Sequence, residues 1–420
     1  MLDLKFNPTE IIYNGRMTLR KGNKKIIIEG EVRNEFLYDY KIVFEATVIE
    51  TNNNNLVELG EYKLFAGDLE ADIYLHKIHK NNGYRVIGRV LGELSSAKTG
   101  LNLIEMKMIN LAPIGSDIIE SKSLIYRGSS ILEYENWIIK IEKRPKYKEI
   151  YENLTNQGGY AWTHNVSIYD RNNKIFNYDE VESVLEKLYS YFQFLCGRSV
   201  YPSVIIGYLN TDNIFRLYNE RKIDQWQTLN TWYPKTNAEI YNDLFNSFSD
   251  LWDIKLFNNK KNIILGTYLE CFSNVTLENR ISSVQIALEL LVQLYLVEHK
   301  NIISKRQFKS MAIKSLIKKL CEIMNIELEE PKNYLHKYIV TEANPIDYFV
   351  DVRNSIVHAR EKVKLNLETL KVTYNIGLWI LELILLKLFK YTGKYKNRLS
   401  ENMFSGDYEL GGVYYPVPWQ

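Results

Sequence analysis

Cysteine is scarce in this chain: there are three in 420 residues, Cys196, Cys271 and Cys321, far apart and odd in number. They form no zinc-ligand spacing and no disulfide framework, which fits a reducing cytosol. The opening residues Met1-Leu2-Asp3-Leu4-Lys5 lead into mixed polar sequence without a basic start and apolar run, so no secretory leader is expected. Long apolar stretches are also missing. The longest lies within Ile376 to Phe389, is too short to span a bilayer, and is interrupted by Glu382 and Lys387. It predicts a buried helix and no membrane partner. No P-loop, Gly-rich dinucleotide turn or Gly-x-Ser-x-Gly elbow occurs, which leaves an ATPase, a Rossmann oxidoreductase or a serine hydrolase unsupported. No internal repeat is visible. These absences describe a cytoplasmic protein with no cofactor implied.

What is present is a chain that is 46% hydrophobic and long enough for two or three domains. Its net charge is only +2 but is unevenly spread. From Thr276 to Ser400 there are about 20 Lys and Arg against about 13 Asp and Glu, an excess of roughly +7, and the remainder carries roughly −5. A local basic excess favours a polyanionic partner.

The expected fold class is α+β, with a β-rich, sandwich-like N-terminal region followed by an all-α bundle. Lys25 to Val32, Ile42 to Ile49, Tyr84 to Val90, Leu103 to Ile109 and Trp137 to Glu142 read as short strands punctuated by Gly and Asn, with a polar turn at Asn52 to Asn55. This pattern suggests a sandwich or barrel over residues 1–145. Residues 146–262 read as a mixed α+β subdomain. It holds a helix from Asp179, a good N-cap, to Cys196, stopped by Gly197, with Val181, Val184, Leu185, Leu188 and Phe192 as its apolar stripe. Trp226, Trp232, Tyr233, Phe245, Phe248 and Trp252 are expected to pack that subdomain.

Residues 263–400 read as helical. Arg280 to His299 places Ile281, Val284, Ala287, Leu288, Leu291 and Leu294 at helical spacing. Lys305 to Met324 is expected to bury Phe308, Ala312, Leu316 and Leu320 and to expose Lys309, Lys314, Lys318 and Lys319. Asn344-Pro345 combines an Asn N-cap with Pro at the first helical position and opens a helix to about Arg360. Asn366 opens the last long helix, which Gly393 is expected to close. Four helices with short connections make a compact bundle. The aromatic tail, 401–420, is expected to dock on a groove.

Within the Asn344 helix lies Arg353-Asn354-Ser355-Ile356-Val357-His358. These residue types suit metal-free RNA cleavage. A histidine moves protons near neutral pH, and a guanidinium grips phosphate in bidentate fashion. In an attack of a ribose 2′-hydroxyl on the adjacent phosphate, His358 would serve as general acid or base and Arg353 would stabilise charge on phosphorus. Asn354 would orient either group. DNA lacks the nucleophile. Asn354 and His358 share a helix face, whereas Arg353 and His358 diverge by roughly 140°. Two such helices related by a two-fold axis would complete a cleft, so the reading calls for a homodimer. Ile346, Phe349, Val350, Ile356 and Val357 are expected to hold the helix on the bundle.

These residues resemble the HEPN family (higher eukaryotes and prokaryotes nucleotide-binding), whose ribonuclease members carry R-x(4–6)-H late in a helical bundle, often with a polar residue after the Arg. The resemblance covers about Leu277 to Arg398. A β-rich first half before such a bundle is similar in layout to the ApeA-type abortive-infection proteins of bacteria. The resemblance implies a metal-independent, dimeric endoribonuclease with catalytic Arg353 and His358 and supporting Asn354. It further implies that RNA such as tRNA is cut during anti-phage defence once infection is sensed, with the N-terminal region as sensor of a phage-derived trigger or as restraint. Gln285 and Glu289, four apart on an earlier helix, are candidates to reach the cleft and bind substrate, although Glu289 paired with a neighbouring lysine is the favoured reading. Arg360 and Lys362, just past the motif, are further candidate substrate contacts. The alternative is a non-catalytic HEPN-like module that dimerises and binds a nucleotide or protein.

Weaker signals are Asp72, His76 and His79, which would align as metal ligands only on a helix, in a region that reads as strand and loop. Lys143-Arg144-Pro145-Lys146 and Tyr147-Lys148-Glu149 read as a solvated charged turn. His164 beside Trp162 reads as a packed pair.

Overall fold

The computed structural model describes residues 9–36, 39–51, 57–80, 84–96, 100–114, 118–121, 124–233, 239–328, 344–358, 365–400 and 414–419. The expected Asn52 to Asn55 turn and tail residues 401–413 lie outside them. The protein is α+β, and the chain divides into two compact units, residues 1–189 with 199–228 and residues 190–198 with 229–420.

The first unit is built on strands β1 (Thr9–Lys21), β2 (Lys24–Glu35), β3 (Lys41–Thr51), β4 (Gly60–Ala66), β5 (Leu69–His79) and β6 (Arg85–Ser95). They pair in the order β6-β3-β2-β1-β4-β5, and β5 pairs again with β6, so the six strands close into a barrel. Closure follows from the alternation along each strand. In β5, Leu69, Ala71, Ile73 and Leu75 are buried while Glu70, Asp72, Tyr74 and His76 are exposed, so one face fills the interior and closure removes the free edges. Phe44 on β3 lies opposite Gly88 on β6, and a Cβ at that glycine would meet the Phe44 ring at 2.3 Å. The missing side chain is what lets the ring enter the barrel. Of the two expected packings, sandwich and barrel, these six strands adopt the barrel, since β5 finds β6 rather than leaving an edge.

β6 also carries a second array. β7 (Leu103–Ile109), β8 (Ile118–Ser121), β9 (Leu124–Arg127), β10 (Ser129–Tyr134), β11 (Trp137–Lys143), β12 (Trp162–Asp170), β13 (Pro202–Leu209) and β14 (Asp212–Asn219) follow in sequence. Six of them extend the sheet from β6 in the order β14-β13-β7-β12-β11-β10, while β8 and β9 form a separate hairpin. Residues 146–262 thus do not stand as a subdomain. Strands β12 to β14 pair with strands from the first 145 residues, and the aromatic residues divide. Trp226 packs with Tyr151 in the first unit, while Trp232, Tyr233, Phe245, Phe248 and Trp252 lie buried in the second.

Helix α1 (Tyr147–Gln157) belongs to the first unit, and the chain passes between units within α2 (Tyr178–Cys196). The five stripe residues of α2 are buried, and Gly197 at φ +66° donates its N–H to the Gln193 carbonyl, the left-handed stop that glycine permits. Asp179 lies inside the first turn instead of capping it.

The second unit contains α3 (Glu239–Asp253), α4 (Lys255–Asn258), α5 (Lys261–Glu270), α6 (Leu277–Val292), α7 (Lys305–Ser310), α8 (Ile313–Ile323), α9 (Pro345–Val357) and α10 (Leu367–Leu388). α6 continues as a π-helical segment, Gln293–His299. The expected Lys305 to Met324 helix is two helices, because Met311 and Ala312 adopt extended backbone. Phe308 is consequently half-buried and Ala312 exposed, while Leu316, Ile317 and Leu320 remain buried. α6 with its π segment and α10 are long and apolar enough to cross a membrane by composition, but 56% and 78% of those windows are buried inside the protein. The charge within the most apolar run has a structural partner: Glu382, 1% exposed, accepts Arg398 Nε at 2.6 Å and Nη2 at 2.7 Å. α10 ends on Lys390 at φ +53°, with the Tyr391 N–H on the Leu386 carbonyl and the Lys390 N–H on the Lys387 carbonyl. That reverse turn closes the helix before Gly393 is reached. The last described residues pair as β16 (Tyr414–Pro416) with β15 (Lys394–Lys396), Val417 is buried, and Trp419 Nε1 donates to the Tyr391 carbonyl.

Candidate functional site

The motif sits on α9. Asn344 caps it, its side chain accepting the Ile346 N–H at 3.0 Å, and Pro345 occupies the first turn. Ile346, Phe349, Val350 and Val352 are buried, and α9 packs against α6, α8 and α10. Ile356 is half-buried, but Val357, expected to help hold the helix, is 48% exposed at the last helical position. The helix ends at Val357, not near Arg360. His358 leaves helical geometry (φ −102°, ψ 7°), although its N–H still reaches the Asn354 carbonyl at 3.0 Å.

The three candidate catalytic residues are held differently. Arg353 lies four residues after Phe349, on the packed side of the helix, and is half-buried. Its Nη1 donates to Asn354 Oδ1 at 3.4 Å, a long contact, and its Nε is buried without a hydrogen-bond partner among the described residues. No carboxylate pairs with Arg353 among the described residues. His358 is exposed at the helix end, one turn beyond Asn354. Arg353 is thus a half-buried guanidinium with no carboxylate partner among the described residues, and His358, five residues on, is an imidazole open to solvent on a different side of the helix end.

On α6, Gln285 is 2% exposed and donates its Nε2 to Glu289 Oε1 at 2.7 Å, while its own Oε1 is buried without a partner among the described residues. Among the described residues Glu289 therefore pairs with Gln285 and with no lysine. The two helices are neighbours, but no hydrogen bond or ion pair among the described residues joins Gln285 or Glu289 to the motif side chains. Arg360 and Lys362 lie outside the described residues.

Other signals resolve structurally. Asp72, His76 and His79 lie along strand β5, where four residues span roughly 13 Å, too far for one ion. No cluster of His, Cys, Asp or Glu among the described residues could hold a metal. His164 is buried, its Nδ1 is 3.0 Å from Thr163 Oγ1, and burial pushes its pKa down to about 3. Arg144 is not solvated: it is 5% exposed and its guanidinium lies 4.2 Å over the Trp162 ring. Arg398 was not legible as Glu382's partner, although a carboxylate inside an apolar helix signals that a cation must come to it.

Comparison with known proteins follows the same division of the chain. Residues 96–229 match a family model described as the YopA central domain, and residues 257–409 one described as the YopA C-terminal domain. The first match ends at Leu229, where the chain enters the second unit for good, and the second match lies wholly within that unit. The whole chain is 29% identical, over 437 aligned residues, to the "SPbeta prophage-derived uncharacterized protein YopA" of Bacillus subtilis strain 168, covering 97% of that protein. No solved structure matches.

Proposed function

We propose that the chain is a metal-independent endoribonuclease of the HEPN type that acts in anti-phage abortive infection in the cytoplasm. Arg353 would bind and neutralise the scissile phosphate, His358 would transfer the proton, and Asn354 would hold the guanidinium. The 2′-hydroxyl attacks phosphorus, the bond to the 5′ oxygen breaks, and the products carry a 2′,3′-cyclic phosphate and a 5′-hydroxyl. Because Arg353 and His358 diverge around α9, a homodimer would assemble the cleft from two copies. The N-terminal barrel would act as sensor or restraint.

The observation that carries this reading is the state of Arg353: buried Nε without a partner, and no carboxylate pairing among the described residues. Buried donors are rarely left unmet, and a guanidinium without a carboxylate partner, on the same helix as an accessible histidine, suits a phosphate that arrives with the substrate. A prophage-derived relative is compatible with a role in phage conflict. The test is expression of wild type and Arg353→Ala in bacteria with sequencing of RNA 5′-hydroxyl ends. New ends and growth arrest with wild type alone support the reading, and identical RNA ends from both overturn it.

A further inference from the structure

The segment from Lys300 to Lys319 contains seven Lys and Arg and no Asp or Glu. It forms α7, the extended break at Met311 and Ala312, and most of α8. Lys305, Arg306 and Lys309 are exposed on α7, and Lys314 and Lys319 are half-buried on α8. Among the described residues none of these five has an acidic partner. The sixth cation, Lys318, bonds Asp347 Oδ2 at 2.6 Å, and Asp347 lies in the first turn of α9. α8 therefore packs against the helix that carries Arg353, and α7 adjoins the π-helical end of α6.

We infer that the α7–α8 face is the track that holds the ribose-phosphate backbone of the RNA, an inference that rests on RNA being the substrate of the Arg353 site. Unopposed cations along a surface bind a phosphate chain by releasing its counterions, without regard to sequence. Insertion into a membrane would use large apolar side chains displayed beside the cations. Here the apolar stripe of α8, Leu316, Ile317 and Leu320, is buried, Phe308 of α7 is half-buried, and Ile302, ahead of α7, is the exposed large apolar side chain of the segment. The face is thus equipped for charge and not for insertion. The break between the helices turns the row of cations without removing any of them.

The test uses the full chain and a fluorescein-labelled single-stranded oligoribonucleotide with 2′-O-methyl groups, which cannot be cleaved by 2′-hydroxyl attack. Binding is read by anisotropy across a salt series for wild type, the fourfold Lys305→Ser/Arg306→Ser/Lys309→Ser/Lys314→Ser variant, and a Lys→Arg exchange at positions 305, 309 and 314. The fourfold variant should bind at least ~10-fold more weakly near 0.1 M salt, with the log–log salt slope reduced by about 3. The arginine exchange should bind as wild type. Unchanged affinity and slope in the fourfold variant would overturn the track. So would a loss confined to phosphatidylserine vesicles with RNA binding intact. If wild type cleaves no RNA yet the lysine-dependent binding holds, the track stands and the nuclease reading fails.

Discussion

The ring of Phe349 occupies the space that a side chain at position 377 would fill: a Cβ on Gly377 would lie 2.2 Å from Phe349 Cε2. Glycine within a helix costs about 1 kcal/mol relative to alanine, so its place inside the 22-residue α10 reflects packing. It seats the motif helix. Gly377→Ala should lower stability by about 1–3 kcal/mol despite the better helix former, and Phe349→Leu should restore part of the loss. Urea unfolding measures both, and a Gly377→Ala protein as stable as wild type would show that the contact does not set the spacing.

The Glu382–Arg398 pair anchors the segment after α10 to the core, with the Tyr268 hydroxyl also donating to Glu382 at 3.3 Å. Removing only the cation leaves a carboxylate buried without charge balance. Arg398→Met should therefore destabilise by about 3–5 kcal/mol, and Glu382→Leu combined with it should recover much of the loss. Denaturation midpoints of the single and double variants check this, and additivity of the two losses would contradict it.

His164 carries a pH dependence. Burial, with a smaller contribution from Lys143, lowers its folded pKa from 6.5 to about 3. Folded protein then keeps the imidazole neutral while unfolded chain takes up a proton, so the stability is fully present above pH 6.5 and is lost as pH falls from there towards 3. The slope is about 1.4 kcal/mol per pH unit in that window. His164→Gln should flatten the stability–pH curve by one proton between pH 6 and 4. An unchanged slope would place the titration elsewhere.

All three cysteines are buried, and burial pushes the Cys321 thiol up to about 12 and the Cys271 thiol above its ordinary range. A thiolate-specific reagent such as a disulfide dye should label none of them in folded protein and all three in denaturant. Rapid stoichiometric labelling of the native chain would mean that one of these helices opens readily.

Where local chemistry decides structure, the sequence was legible. Asn344-Pro345 marked the start of α9, Asn366 that of α10 through its bond to the Thr369 N–H, and Gly197 the stop of α2. Apolar, β-branched runs bounded by Gly and Asn located β2, β3, β6, β7 and β11, and β7 matched its expected bounds, Leu103–Ile109. What was not legible depends on partners distant in the chain. Nothing local says that β5 returns to β6 to close a barrel, that Arg398 reaches Glu382, or that β12 to β14 join the first sheet. Helix ends without glycine also escaped: α10 turns on Lys390, and α9 stops at Val357 with neither Gly nor Pro to mark it. The candidate site was legible as residue types on a helix. The buried, unpartnered Nε of Arg353 and the Gln285–Glu289 pairing required coordinates.

The central claim is that Arg353 and His358 cleave RNA without a metal. Its most direct test is incubation of purified full-length protein with total bacterial RNA in excess EDTA, followed by analysis of the new termini. Wild type should generate 2′,3′-cyclic phosphate and 5′-hydroxyl ends. His358→Ala should lose about 10²- to 10⁴-fold in rate, the usual scale for a general acid or base, and Arg353→Lys should not recover the bidentate grip. Cleavage at wild-type rate by His358→Ala, or no cleavage by any form of the chain, would contradict the account.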